Sequence, residues 1–175
     1  MKTFEYVQAK TAQEAVSFLG DEYNESKVLA GGLDLIGELK DHLIEPERLV
    51  SLGGIADLDY IRTEGGVTKI GATTTLAGIA GHPDLLKAHA ALAEAAAVVG
   101  SPQIRNVGTL GGNLCQDTRC VFYNQSEWWR AANHYCLKRG GDTCHVAPQG
   151  ARCHAAFSGD LAPVLLVLQA EVGLS

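Results

Sequence analysis

Along the first fifty residues, short apolar runs alternate with amphipathic ones. Residues 4–7 read as a strand. Residues 11–19 read as a helix with Thr11 as its N-cap and Glu14 at the capping-box position. Lys27, Val28, Leu29 and Ala30 make a second short strand, which the Gly31-Gly32 pair ends. Asp34 opens a second helix running to Leu39, and residues 48–52 read as a third strand. This β-α-β-α-β alternation predicts a small parallel sheet.

After Gly54 the pattern changes. Residues 58–63 and 67–73 flank Glu64-Gly65-Gly66, a hairpin signal. Helices are predicted over 76–80 and, in a run rich in Ala and Leu, over 85–99. A glycine-dense stretch spans 105–113, and residues 115–157 show neither period while holding all five cysteines and both tryptophans. Residues 160–170 predict an apolar helix with Pro163 in its first turn. No repeat or low-complexity tract interrupts the chain. The expectation is an α+β fold of two lobes, residues 1–55 and 56–175, with an irregular insertion at about 115–157.

Composition narrows the function classes. With 46% hydrophobic and 19% charged residues the chain reads as globular. Its 20 acidic and 14 basic residues give a net charge of −6, which argues against nucleic acid, since phosphate binding needs clustered cations. No apolar run reaches the roughly twenty residues that span a bilayer, and the first ten residues are too polar for a signal peptide. A cytoplasmic protein without membrane insertion is expected, and there cysteines serve as thiolates more often than as disulfides.

Two glycine turns offer candidate chemistry. Leu29, Ala30, Gly31, Gly32, Leu33, Asp34 and Leu35 run from strand to helix start, where backbone N–H groups can receive a phosphate. The Rossmann spacing and the lysine of a nucleotide-triphosphate loop are both lacking, so by itself this reads as a tight turn. Gly108, Thr109, Leu110, Gly111, Gly112 and Asn113 form a second, denser turn. As a pair in two lobes they suggest a long anionic ligand such as the dinucleotide FAD.

The sharper signal is Cys120, Cys136, Cys144 and Cys153, with 15, 7 and 8 residues between them. Four thiolates suit a zinc ion, a [2Fe–2S] or a [4Fe–4S] cluster, and the close C-x-x-C pairs of zinc ribbons are lacking. Phe122, Tyr123, Trp128, Trp129 and Tyr135 stand nearby and predict an apolar shell that would tune a cluster. Cys115 reads as a small buried residue, and His134, His145 and His154 as surface positions of a polar loop. No general acid, base, nucleophile or molybdenum ligand stands out, so no catalytic residue is assigned.

The run AGGLDLIGELK from Ala30 resembles the AGGTDL turn of flavin-binding subunits in the xanthine dehydrogenase and carbon monoxide dehydrogenase family. GATTT at Gly71, SPQIRNVGTLGGNLCQ at Ser101 and SGDLAPVLLVLQAEV at Ser158 follow in that family's order, so the resemblance covers essentially the whole chain. It implies the two-lobed FAD-binding fold of the vanillyl-alcohol-oxidase (PCMH) type, with a small parallel βαβαβ lobe and a larger lobe holding a mainly antiparallel sheet. The cysteine-bearing insertion is similar to that of the flavin subunit of 4-hydroxybenzoyl-CoA reductase, which adds a [4Fe–4S] cluster.

On this resemblance Cys120, Cys136, Cys144 and Cys153 are the implied cluster ligands, and Leu29 to Leu35 the implied pyrophosphate site. Gly108, Thr109, Gly111, Gly112 and Asn113 are implied contacts of the second lobe. Asp160 is an implied polar contact to the ribitol or ribose end, with a helix N-cap as its alternative role. Leu33 stands where the family has threonine. A third domain of the family is expected to be absent from a chain ending at Ser175. The implied partners are a large molybdenum-cofactor subunit, a small [2Fe–2S] subunit and an external carrier such as ferredoxin, with an aromatic acyl-CoA as the family-level substrate. The competing readings are a stand-alone electron-transfer flavoprotein and a zinc-stabilised, non-redox binding module.

Overall fold

The computed structural model describes residues 1–22 and 25–174. β1 (Glu5–Gln8), β2 (Ser26–Leu29) and β3 (Arg48–Ser51) pair in parallel in the order β1-β3-β2. Val50 of β3 lies opposite Val7 on one side and Val28 on the other. The central position explains why Leu49 and Val50 are buried while the edge strand β1 stays largely exposed and β2 is mostly half-buried. α1 (Ala12–Phe18) starts where Thr11 accepts the Glu14 N–H at 3.0 Å. Glu14 answers through the Lys10 N–H, at 2.7 Å, one residue before the usual capping-box donor. Ala15 then packs with Ala9, Val50 and Ile55. α2 (Leu33–Lys40) follows the first glycine turn.

β4 (Ile61–Glu64) and β5 (Val67–Ile70) form the antiparallel hairpin. Gly65 and Gly66 both take positive φ, at 61° and 82°, as the mirror-image turns of tight hairpins require. This hairpin is the whole antiparallel sheet among the described residues, so the sheet expected of the larger lobe is small, and helices fill most of the remainder.

The helices are α3 (Leu76–Gly81), α4 (Pro83–Ala88), α5 (Ala90–Val98), α6 (Pro102–Val107), α7 (Leu110–Leu114), α8 (Glu127–Ala132) and α9 (Ala162–Val167). The single helix expected over 85–99 divides at His89, which leaves helical geometry (φ −138°, ψ 49°) while its ring meets the Thr68 hydroxyl at 3.0 Å. The glycine-dense stretch holds two short helices, each capped by a hydroxyl: Ser101 for α6 and Thr109 for α7. Leu76, Ile79, Leu85, Leu92, Ala93, Ala96, Leu110 and Leu161 form their common core. The last helix is shorter than the expected 160–170 span. Its N-cap is Leu161, without a side-chain cap bond, so Asp160 is not the capping residue.

Two compact units emerge. One comprises Phe4–Leu33, Pro46–Cys115 and Gly159–Ser175 and contains the parallel sheet, the hairpin and both glycine turns up to Leu33. The other comprises Met1–Thr3, Asp34–Glu45 and Gln116–Ser158 and contains nearly all of α2 with the cysteine-rich segment. Its core joins Leu43, Tyr123 and Cys136, with Cys120 packed against them. None of the described helices is long and apolar enough to cross a membrane.

Candidate functional site

The two glycine turns, separated by more than seventy residues in sequence, meet inside one unit. A Cβ on Gly31 would lie 2.1 Å from the Val107 carbonyl oxygen and 3.2 Å from the Gly108 Cα. Only glycine lets the first turn approach the second this closely. Leu33, standing in the threonine position, brings its side chain onto Gly108, where an added Cβ would sit 3.1 Å from Leu33 Cδ1.

The second turn is zipped to residues 72–76. The Leu76 N–H donates to Gly108 O at 2.8 Å, Leu110 N–H to Thr74 O at 2.9 Å, and Gly111 N–H to Ala72 O at 2.8 Å. The Thr109 hydroxyl is buried and accepts the Gly112 N–H at 3.1 Å. Asn113 donates from Nδ2 to Asp160 Oδ2 at 2.7 Å and accepts the Leu161 N–H at 3.0 Å, so it ties α7 to the start of α9. Asp160 is exposed and held by Asn113. The second turn thus uses its Leu110, Gly111 and Gly112 N–H groups to hold its own shape.

The first turn differs. α2 begins at Leu33, and helix geometry leaves the N–H groups of its first four residues without intrahelical partners, at the positive end of the helix. These donors, with the half-buried Gly31 and Gly32 before them, suit the anionic pyrophosphate of a dinucleotide. The Asp34 side chain has another role: it accepts the Asp117 N–H at 2.9 Å and pairs with Arg119. Glu38, one turn further along α2, is buried. Burial, and then Asp34 and Asp117 nearby, push its carboxyl up to about 7 against the pull of Lys138 and Arg119.

In the other unit the four cysteines come together. Cys120, Cys136, Cys144 and Cys153 all line one cavity. All five cysteines of the chain are free thiols, and Cys136 and Cys144 are buried. The Ala147 backbone hydrogen bond holds the Cys144 thiol below its ordinary range; burial opposes this, and the His154 and Val146 backbone bonds add to it. The Ala155 N–H donates to Cys153 Sγ at 3.4 Å. Among the described residues, no group of three or more His, Cys, Asp or Glu side chains is arranged to hold a single metal ion.

The aromatic shell forms in part. Phe122 and Tyr123 line the cavity, and Trp129 lies 6.3 Å from Phe122 between ring centroids. Trp128 points into solvent, 79% exposed, and takes no part. His145 is half-buried: it lines the cavity, bonds Tyr135 O through Nε2 at 2.6 Å and lies 5.5 Å from Phe122. Cys115, expected to be buried, is exposed after α7.

Arg130, which carries no motif, is 1% exposed. Its guanidinium donates to His42 O at 2.7 Å, Asp41 O at 3.3 Å, Gln125 O, and Glu127 Oε2 at 2.6 Å. Tyr135 donates to the other Glu127 oxygen at 2.7 Å, and this bond first, then Arg130, lowers the Glu127 carboxyl. Its only sequence trace is the i,i+3 spacing from Glu127 on α8.

Among known proteins, the chain is 41% identical over 116 residues to the nicotinate dehydrogenase FAD-subunit of Eubacterium barkeri, covering 65% of this chain and 39% of that one. It is 32% identical over 157 residues to the aldehyde oxidoreductase FAD-binding subunit PaoB of Escherichia coli (strain K12), covering 89% and 47%. A solved carbon monoxide dehydrogenase from Hydrogenophaga pseudoflava superposes with a TM-score of 0.62 at 38% identity, covering 65% of this chain and 39% of that one. The chain therefore spans less than half the length of the curated relatives named here. The parallel three-stranded sheet and the antiparallel hairpin are those of a PCMH-type flavin domain. With the family model for the FAD binding domain in molybdopterin dehydrogenase matching residues 2–175, this chain belongs to that family of FAD-binding domains.

Proposed function

We propose that this chain is the FAD-binding electron-transfer subunit of a multi-subunit molybdenum-containing oxidoreductase of the cytoplasm, and that it holds a [4Fe–4S] cluster as well. It would link an external carrier such as ferredoxin with the [2Fe–2S] and molybdenum centres of a small and a large partner subunit. An aromatic acyl-CoA, as in 4-hydroxybenzoyl-CoA reductase, is the substrate class proposed for the complex. Residues 1–55 and 56–175 are the proposed FAD-binding lobes.

The observation that carries the cluster reading is the gathering of four free thiols around one cavity, from a segment with little regular structure. A single ion needs its ligands to meet at one point, whereas each iron of a [4Fe–4S] cluster takes its own thiolate, so donors spread around a cavity suit the cluster. When bound, FAD exchanges electrons singly or in pairs and the cluster passes them one at a time. The protein's own residues position and insulate. The N–H groups at the start of α2 hold the pyrophosphate, Asn113 orients Asp160 toward the ribitol or ribose, and Phe122 and Tyr123 keep water from the thiolates.

The test is the visible spectrum of anaerobically purified protein, with iron, sulfide and flavin assayed on the same sample. One FAD and about four irons per chain are expected. The Cys136→Ser variant should lose the iron and keep the flavin. A yellow protein without iron would leave only the flavin site, and a colourless protein with one zinc would establish the binding-module reading.

A further inference from the structure

Lys138 stands at the cysteine cavity with its ammonium fixed. The side chain lines the cavity together with the four cysteines, and 19% of it is exposed. Its Nζ donates to Asp117 Oδ1 at 2.7 Å, to Thr118 Oγ1 at 2.6 Å and to Thr118 O at 3.2 Å. It also lies 4.3 Å from the centre of the Tyr123 ring, which is itself buried on the cavity wall. Lysine has three N–H donors, and here every one has an acceptor while an aromatic face covers the same charge. Such an ammonium is held in one place. The bonds also join the residues just before Cys120 to the turn just after Cys136 (137–139), so the cation sits where two of the thiols are set relative to each other.

We propose that Lys138 is a positioning and potential-tuning residue of the cysteine site, raising the reduction potential of the group bound there. The proposal rests on the [4Fe–4S] reading above. Four thiolates make the cavity strongly negative, and a one-electron reduction adds a further negative charge. A cation held on the wall of a poorly solvated cavity favours the reduced state. Asp117, bonded to the same ammonium, offsets part of this effect, so the net influence is that of a partly compensated charge.

The experiment is a redox titration of the full chain, followed by electron paramagnetic resonance of the reduced cluster, on wild type, Lys138→Met and Lys138→Arg. Iron, sulfide and FAD are assayed on each sample, and FAD retention controls for the fold. Lys138→Met is expected to keep its iron and to become about tenfold harder to reduce, about 59 mV for a one-electron couple. Lys138→Arg, which keeps the charge, should restore the wild-type potential. Iron lost from the Met variant but retained by the Arg variant would also support the role of the charge. An iron-loaded Met variant with unchanged potential would overturn the proposal. Equal loss of iron from both variants would overturn it too, leaving Lys138 a brace whose charge is immaterial. Failure of the cluster reading shows itself separately, as wild-type protein without iron and sulfide.

Discussion

Glu38→Gln tests whether a buried carboxyl on α2 limits the stability of the unit that holds the cysteines. Glu38 is 8% exposed and its carboxyl is raised from 4.5 to about 7, first by burial and then by Asp34 and Asp117. A carboxyl whose folded value exceeds its unfolded one holds more protons in the fold between the two values. Stability therefore falls as pH rises from 4.5 to about 7 and is level with respect to this group outside that window. A displacement from 4.5 to about 7 corresponds to roughly 3 kcal/mol, most of which falls between pH 5 and pH 8. Glutamine keeps the shape and has no charge to bury, so the variant should gain on wild type by that amount across the interval. Urea unfolding at both pH values, read by tryptophan fluorescence, is the assay. Trp128 and Trp129, the only two tryptophans, lie in the same unit as Glu38. At typical urea slopes the midpoint difference should widen by about 1–2 M from pH 5 to pH 8. A difference of the same size at both pH values would refute the burial argument.

Gly31→Ala should cost about 2 kcal/mol or more and abolish FAD binding, because its Cβ would lie 2.1 Å from a backbone oxygen. Gly37→Ala, with nothing within 4 Å of the new methyl on α2, should instead gain up to about 1 kcal/mol, and thermal melts with flavin titration compare the two. Arg130→Met removes the donor to the Asp41, His42 and Gln125 carbonyls and should cost about 3 kcal/mol. Hydrogen exchange should then accelerate over 116–158 before it does in the parallel sheet, and unchanged protection there would refute the clamp.

What the sequence determined by itself was local in origin. Thr11 and Glu14 announce α1 because a cap is satisfied within four residues, and Gly65-Gly66 announces the hairpin because the turn needs two positive φ values. Alternating strand and helix periods were enough for the parallel sheet, and the glycine signatures for the flavin fold. The rest came from partners distant along the chain. α7 forms within a glycine-rich stretch where residues 72–76 exchange hydrogen bonds with Gly108, Leu110 and Gly111 that no propensity scale contains. α4 and α5 part at His89, which leaves the helix and bonds Thr68 twenty-one residues away. Asp34, legible as a phosphate-turn residue, is claimed by Arg119 across 85 positions. Spacing could count the four cysteines without showing that they share a cavity; beyond its i,i+3 spacing from Glu127 nothing in the residue pattern marked Arg130, and nothing marked Lys138. Local hydrogen bonding and hydrophobic period leave a record within a few residues of chain. Burial, ion pairing and the closing of a cavity depend on which distant residues arrive, and only the tertiary structure decided those.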